Sequence, residues 1–213
     1  MSAAIIPQYT QNALEELRDK VSVRLNESGF YLAGGTALTF QIQHRLSTDL
    51  DWFTPTKFDP NVLGAQLRED GVNVSQIEIS EGTLHCKIGE CDVSFFHYPY
   101  KMLDELQAID GSSDLNMAGL RDIALMKITA IADRGTKKDF VDLYFIITQH
   151  VSLRELLDVF EIKYPDSSVY HYLKALTYFD DADKMPDLEM LRQVTWNDVK
   201  KKIVKQVRDL QLA

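Results

Sequence analysis

The segment from Gly34 to Phe53, which reads GGTALTFQIQHRLSTDLDWF, constrains this chain more than any other. It follows a short apolar stretch, residues 30–33, so the pattern predicts a buried strand and then a turn into a helix. Glycines between a strand and a helix let backbone N–H groups approach an anion closely. We therefore predict a phosphate site at Gly34, Gly35 and Thr36, with Thr36 as the helix cap.

Two carboxylates lie near the end of the same segment. Asp49 and Asp51 alternate with Leu50 and Trp52, which is the period of a half-buried strand. Side chains at positions i and i+2 of a strand share a face, so both carboxylates project together. Like charges held side by side need a cation between them, and oxygen ligands of this kind suit Mg²⁺, which also takes phosphate oxygens. The sequence therefore predicts a metal site next to the phosphate site.

Three more strands are predicted at residues 72–80, 83–88 and 91–97, separated by short turns that contain glycine. This pattern is typical of an antiparallel meander. Asp92 lies between apolar neighbours in the last of these strands, where aspartate is disfavoured. Asp92 is therefore either an exposed side chain beside a turn or a third carboxylate that completes a two-metal site.

The charge of the chain is unevenly distributed along its 213 residues. Residues 1–115 hold 8 lysines and arginines against 17 acids, whereas residues 116–213 hold 15 of each, so the net charge of −9 lies in the first part. An acidic chain argues against broad, nonspecific binding to a nucleic-acid backbone. We predict an α+β fold, with a small mixed sheet over residues 1–115 that carries the acids at one edge. A linker at 98–118 then leads to a helical domain over residues 116–213.

Composition and cysteine usage bear on the compartment. No apolar run approaches the roughly 18 residues of a membrane span, and the N-terminus lacks the pattern of a signal peptide. Cys86 and Cys91 are too few for a disulfide framework and have no partners for a zinc site. We therefore expect a cytoplasmic protein without a membrane partner.

The spacing of apolar residues predicts helices over residues 116–213. Lys127 falls on or beside the apolar face of the first helix, either at the edge of the core or pointing into a cleft. After Gly135 another helix begins, in which Lys138 and Asp142 lie one turn apart and could form a surface ion pair. Three further helices are predicted at 152–160, 168–179 and 195–210. The last is rich in lysine, either as a solvated face or as a contact patch for nucleic acid.

Two blocks of this sequence resemble a known family. The Gly-Gly-Thr turn and the Asp-x-Asp pair, with twelve residues between Thr36 and Asp49, resemble the signature of the polymerase-β-type nucleotidyltransferases. The segment HRLSTDLDWF at residues 44–53 resembles the sequences of the AbiEii/AbiGii toxin branch. These proteins are the minimal nucleotidyltransferases of abortive-infection and toxin–antitoxin systems. A second block, from Asp122 to the Lys-Asp-x-x-Asp run that ends at Asp142, resembles the other half of that signature.

The resemblance implies attack of an acceptor hydroxyl on the α-phosphorus of a bound NTP, with release of pyrophosphate. It also implies that the helical domain over residues 116–213 closes the nucleotide cleft. Asp49 and Asp51 would hold two Mg²⁺ ions, with Mn²⁺ as an alternative, about 3.5–4 Å apart. Asp92 would bind the ion that activates the hydroxyl. Lys138 would neutralise charge on the pyrophosphate, and Asp142 would also take part in activity.

The resemblance also implies a set of nucleotide-binding residues. Arg45 and Ser47 either touch phosphate or brace the loop between the turn and the acids. Lys127 and Arg134 would be further contacts to the triphosphate. The full set is Gly34, Gly35, Thr36, Arg45, Ser47, Lys127 and Arg134.

Several functions remain compatible with these residues. The family implies a toxin that works with an antitoxin, with the 3′ end of tRNA as one acceptor. A second interpretation is nucleotidylation of a small molecule or of a protein side chain, which the acidic charge favours. A third is a noncatalytic module that binds a nucleotide or an antitoxin. Because fold does not fix the substrate, the sequence alone leaves these alternatives open.

Overall fold

The structure is a computed structural model that describes residues 6–111 and 114–211. It divides into two compact units. The sheet unit comprises Met1–Phe40, Ser47–Lys101 and Glu105–Gly119, and the helical unit comprises Gln41–Leu46, Met102–Asp104 and Leu120–Ala213. Residues 41–46 therefore group with helices that lie far downstream in the sequence.

The sheet unit is built on one mixed sheet, as predicted. Its strands are β1 Tyr31–Ala33, β2 Leu50–Thr54, β3 Val74–Ser80, β4 Thr83–Ile88, β5 Cys91–His97, β6 Gln107–Ala108 and β7 Asn116–Met117. They lie in the order β3-β4-β5-β2-β1-β7-β6. The strands β3, β4 and β5 form the predicted antiparallel meander, whereas β2 pairs parallel with β5 and antiparallel with β1.

The acids do not lie on an edge strand, which corrects our prediction. Strand β2 is the fourth of the seven strands, so Asp51 is part of the central strand and Asp49 directly precedes it. Leu50 and Trp52 are fully buried, while Asp51 is half-buried, which is the predicted alternation of faces. Apolar burial on one face of β2 therefore directs the carboxylates to the other.

Residues 98–118 are not a simple linker. Strand β7 pairs parallel with β1 through Met117 and Leu32, and the N–H of Ala118 donates to the carbonyl of Leu32 at 2.9 Å. A 3₁₀ turn, Ile109–Gly111, follows β6, and Ser112 and Ser113 of the predicted linker lie outside the described residues. Strands of two residues show no detectable period, which is why this part of the sheet was missed.

Three helices belong largely to the sheet unit. They are α1 Gln8–Glu27, α2 Gly34–Ile42 and α3 Pro60–Glu69. One face of α1 is apolar and buried, and α3 begins with a side-chain cap. The side chain of Asp59 accepts the N–H of Asn61 at 2.8 Å, and Pro60 occupies the first turn, where no N–H is needed.

The helical unit contains the predicted helices with two differences. Its helices are α4 Leu120–Asp133, α5 Lys137–Gln149, α6 Leu153–Asp158, α7 Phe160–Lys163, α8 Val169–Ala175, α9 Asp180–Asp183 and α10 Trp196–Gln211. The prediction for 152–160 is divided between α6 and α7, and α9 was missed. Among residues 6–111 and 114–211, no helix is both long and apolar enough to cross a membrane.

Candidate active site

The turn between β1 and α2 is tighter than the sequence predicts. Helix α2 begins at Gly34, directly after the last residue of β1, so Thr36 lies inside the first turn and does not cap the helix. The buried hydroxyl of Thr36 instead donates to the backbone carbonyl of Asp49 and lies 3.0 Å from the hydroxyl of Ser47. Thr36 and Ser47 therefore hold the loop before β2 against the start of α2, which favours the bracing role for Ser47.

Gly34 is required at its position for two separate reasons. Its φ of +70° lies in the left-handed region that favours glycine. A Cβ atom on residue 34 would also lie only 2.8 Å from Oδ2 of Asp51. The carboxylate of Asp51 thus occupies the space that a side chain at position 34 would fill, next to the first backbone N–H groups of α2.

Substitution of Gly34 by alanine tests whether this close approach matters. We expect Gly34→Ala to cost about 1–2 kcal/mol of stability for the left-handed backbone and to displace the carboxylate of Asp51. Gly89→Ala is a matched control, since Gly89 has a φ of +59° but no atom within 4 Å of the added Cβ. Both variants should lose similar stability in urea unfolding. Only Gly34→Ala should also weaken binding of Mn²⁺ in titration calorimetry.

The position of Asp49 is fixed by the loop that precedes β2. The hydroxyl of Thr48 donates to Oδ1 of Asp49 at 2.8 Å. The carbonyl of Thr48 accepts the hydroxyl of Thr10 at 2.7 Å and lies 3.4 Å from the thiol sulfur of Cys91. Side chains from α1 and β5 therefore anchor the loop, and Asp49 keeps a half-buried position two residues before Asp51.

Asp92 lies on the same face of the sheet as Asp51 but has a partner of its own. The parallel register pairs Asp51 with Ser94, two residues beyond Asp92, so Asp92 and Asp51 project from the same side. Lys87 lies directly opposite Asp92 on β4, and their side chains form an ion pair of 2.8 Å. This hydrogen bond raises the pKa of Lys87, and the charge of Asp49 adds to the effect.

The predicted cluster of three carboxylates is not assembled in the structure. Within the described ranges, no three acidic, histidine or cysteine side chains are close enough together to hold a metal ion. Asp49 and Asp51 are adjacent on one face, whereas the carboxylate of Asp92 is 65% exposed and engaged by Lys87. A third ligand at Asp92 therefore requires the ion pair with Lys87 to open.

A second group of predicted residues forms a buried cluster in the helical unit. Asp142 on α5 is completely buried and accepts two hydrogen bonds from Arg45, from Nε at 2.6 Å and Nη2 at 2.8 Å. His44 Nε2 lies 2.7 Å from Asp142 Oδ1, and Lys127 Nζ lies 2.6 Å from Oδ2. Burial alone would raise the pKa of Asp142, but the charges of Lys127 and Arg45 outweigh it and hold this pKa well below its usual range.

Asp139 completes this cluster and was not predicted as a site residue. It accepts two hydrogen bonds of 2.9 Å from Arg134, one from the hydroxyl of Thr136, and one of 3.0 Å from Lys127. Burial opposes ionisation of Asp139, yet the charge of Lys127 and the bonds from Arg134 lower its pKa. The only sequence signal for Asp139 is its place inside the Lys-Asp-x-x-Asp run.

These contacts bear on four of the predicted residues and correct the partner of one of them. Asp142 pairs with Arg45 in the interior, so the predicted surface ion pair with Lys138 is wrong. Arg45 is bound on both sides of its guanidinium fork, which favours the bracing role for Arg45 as well. Lys127 lies 4% exposed inside the cluster, so a direct contact to triphosphate would require its ion pairs to open. Arg134 is half-exposed, but Asp139 already engages it.

Lys138 differs from the rest of the cluster. It is half-buried on the first turn of α5, and in the described part of the chain its ammonium group forms neither an ion pair nor a hydrogen bond. Of the four basic residues that we predict at the nucleotide site, Arg45, Lys127, Arg134 and Lys138, Lys138 is therefore the one whose charge is available to an anion.

Comparison with known proteins identifies the family to which this chain belongs. Solved structures with a similar fold are described as nucleotidyltransferases. The family model described as "Nucleotidyl transferase AbiEii toxin, Type IV TA system" matches residues 68–212. The chain therefore belongs to the AbiEii family. The match begins after the Gly34–Phe53 segment, so it supports the resemblance independently of that segment.

One curated protein and two solved structures are also similar to this chain. The uncharacterized protein aq_aa25 of Aquifex aeolicus (strain VF5) is 40% identical over 158 residues, which span 72% of this chain and 75% of that protein. The nucleotidyltransferase toxin MenT4 from Mycobacterium tuberculosis H37Rv has a similar fold, with a TM-score of 0.54 at 14% identity over 95% of this chain and 86% of MenT4. A crystal structure from H. pylori has a TM-score of 0.53 at 18% identity and covers 97% of this chain and 98% of that chain.

Proposed function

We propose that this protein is a metal-dependent nucleotidyltransferase that moves a nucleoside monophosphate from an NTP to an acceptor hydroxyl, as the toxin of a toxin–antitoxin system. Membership of the AbiEii family supports the transfer of a nucleotide and the presence of an antitoxin partner. The observation that carries the proposal is the approach of the Asp51 carboxylate to Gly34. It puts an acid directly beside the start of a helix.

The residues at this point fit both a phosphate and a divalent cation. The first N–H groups of α2 have no acceptor within the helix and favour an anion. A phosphate placed there would lie close to two carboxylates and would be repelled unless a cation lay between them. The oxygen donors of Asp49 and Asp51 suit Mg²⁺ or Mn²⁺. Such an ion polarises phosphate oxygens and lowers the pKa of a bound hydroxyl.

The side chains and backbone around the two acids have distinct proposed roles. The N–H groups of Gly35 and Thr36 orient the terminal phosphates of the NTP at the start of α2. Asp49 and Asp51 hold the cation, and the tight loop fixes them before the substrate binds. Lys138 neutralises the charge that develops on the leaving pyrophosphate. Lys127, Arg45 and Asp142 act as positioning residues, because their buried ion pairs hold this part of the helical unit in place.

The acceptor is proposed to be the 3′ end of tRNA. The support is the family description, which names a nucleotidyltransferase toxin, together with the free cations of the helical unit. Of the lysines on α10, only Lys200 is bound, by Asp183 at 2.8 Å, within the described residues. The alternative acceptors are a protein or a small molecule, and the experiment must distinguish them from tRNA.

Transfer of label from each NTP tests the proposal. The pure protein is incubated with Mg²⁺, one α-³²P-labelled NTP at a time, and total cellular RNA, with and without EDTA. We expect label to enter RNA of tRNA size only when metal is present. Label on the protein itself would point to protein nucleotidylation. If no RNA, protein or small molecule gained label, the proposed transfer would be wrong.

The role of Asp92 is tested by changing its partner. Lys87 competes with a cation for the carboxylate of Asp92, so Lys87→Met should strengthen Mn²⁺ binding by about two- to fivefold. Asp92→Asn should weaken it by a similar factor. Titration calorimetry of the metal alone measures both effects. If Asp92→Asn leaves the Mn²⁺ affinity unchanged, Asp92 is not a metal ligand. Its exposed carboxylate then only forms the ion pair with Lys87.

A further inference from the structure

A groove in the helical unit is lined by residues that take no part in the candidate active site. It is formed by α6, α8 and α10 and has a volume of about 940 Å³. Aliphatic side chains form its floor, among them Leu157, Leu173, Val204 and Val207. Leu157, Leu173 and Val204 are only half-buried, so they present apolar surface to the groove. This apolar surface is open to a partner.

The rim of the groove is predominantly basic. Arg154, Lys174 and Arg208 line it and are exposed, whereas Asp158 is the acidic residue among the lining side chains. None of these three cations forms an ion pair with another described residue. In a chain whose net charge is −9, three unpaired cations around one groove are a local reversal of sign.

Tyr170 marks one side of this groove. Its side chain is 80% exposed, although it lines the groove together with Leu173. Tyrosine presents a large apolar ring with a polar tip, and such residues are enriched among the side chains that anchor protein interfaces. An exposed tyrosine beside an aliphatic floor therefore fits a protein contact.

We propose that this groove binds an amphipathic helix of a protein partner, with an aliphatic face for the floor and acidic side chains for the rim. A helix that lies in an apolar groove uses apolar residues at i, i+3, i+4 and i+7, which suits a floor shared by three helices. Acidic flanks would complement Arg154, Lys174 and Arg208, and this complementarity would select the partner and speed its association.

The floor argues against a nucleic acid as the occupant. Single-stranded nucleic acids bind on several aromatic side chains, on which successive bases stack, along a track of positive charge. Among the described residues that line the groove, Tyr170 is the one aromatic side chain. Aliphatic side chains offer no comparable stacking surface and gain most from contact with other aliphatic groups.

Peptide binding tests the proposal. The probe is a fluorescein-labelled 18-residue peptide with leucine at i, i+3, i+4 and i+7 spacing and glutamate on both flanks, measured by fluorescence anisotropy against the full chain. A peptide of the same composition with the leucine spacing scrambled is the control. We expect the patterned peptide to bind at least about tenfold more tightly than the scrambled one, and high salt to weaken its binding because the rim charges are screened.

Two variants locate the binding in the groove. Arg208→Glu should weaken binding of the patterned peptide by about tenfold, because it reverses a rim charge. Lys201→Glu makes the same change at an exposed position of α10 outside the groove and should have little effect. Leu173→Glu should abolish binding, with circular dichroism as a check of its fold.

The outcomes separate this inference from the proposed enzyme function. Equal binding of the two peptides, or equal effects of Arg208→Glu and Lys201→Glu, would overturn it. Tighter binding of a single-stranded RNA of 12 nucleotides than of the patterned peptide, lost in Arg208→Glu, would also overturn it and assign the groove to RNA. The peptide assay needs neither NTP nor metal, so its result is independent of nucleotide transfer.

Discussion

Asp142→Ala should destabilise the protein by about 3–5 kcal/mol, because it removes one partner from a buried set of charges. Arg45 and Lys127 would keep their positive charges in the interior without the carboxylate that binds both. His44 would also lose the acceptor of its Nε2. Urea unfolding followed by circular dichroism measures the loss. Asp92→Ala removes an acid that is 65% exposed and should change stability by less than about 0.5 kcal/mol.

The loss should depend on pH in a defined direction. The pKa of Asp142 is lowered in the folded protein, so its contribution is complete above the unfolded value of about 4 and is lost as the pH falls through the folded pKa. Burial also lowers the pKa of His44, with Asp142 opposing the shift. Below about pH 6.5 the unfolded chain therefore binds a proton at His44 that the folded chain resists, and wild-type stability should decline first there.

Lys138→Ala distinguishes the proposed direct contact of Lys138 with the pyrophosphate from the positioning role of Asp142. Lys138 has no ion-pair partner in the described chain, so its removal should leave the unfolding free energy nearly unchanged while lowering nucleotide transfer. Asp142→Ala should lower both. If Asp142→Ala retained full stability and lost only activity, the buried cluster would not be the structural element that we infer.

The sequence predicts best where local signals are strong. The strands β3, β4 and β5 are each bounded by turns with glycine, and each is long enough to show its period. The alternation of acids with Leu50 and Trp52 likewise predicts which face of β2 is buried. These features depend on neighbours within a few residues, so a single sequence is sufficient to find them.

Contacts between distant parts of the chain account for the errors. The spacing within α5 suggests Lys138 as the partner of Asp142, but the true partner, Arg45, lies 97 residues away in the sequence. The family resemblance pointed to Arg45 and Asp142 as site residues without indicating that they bind each other. Helical periodicity describes one helix at a time, so it cannot show which charges from elsewhere meet inside a unit.

The position of β2 in the sheet illustrates the same limit. Its central place results from pairing with β1 on one side and β5 on the other, and β5 lies about forty residues downstream. The two-residue strands β6 and β7 extend the sheet beyond β1 without any pattern of their own. The acids were therefore found by sequence, whereas their placement on a central strand required the structure.

Asp49→Ala should abolish nucleotide transfer while leaving the fold intact. Removing a carboxylate that holds the catalytic cation should cost several kcal/mol of transition-state stabilisation, which corresponds to at least about a thousandfold in rate. Asp49 is half-buried, and Thr48 is the donor to its carboxylate at 2.8 Å, so little stability is lost with it. Its removal also relieves repulsion with Asp51 when no metal is bound.

The two effects are measured on the same preparation, transfer of labelled nucleotide with Mg²⁺ present and thermal unfolding with Mg²⁺ removed. Asp49→Asn provides a conservative comparison, since it keeps the size of the side chain and loses only the charge. Transfer by Asp49→Asn at the wild-type rate would exclude Asp49 as a metal ligand. A large drop in Tm for Asp49→Ala without Mg²⁺ would mean that the loop before β2 needs this carboxylate to fold. We expect Asp49→Ala to lose nucleotide transfer with an unchanged Tm, because Asp49 binds the cation and contributes little to the stability of the fold.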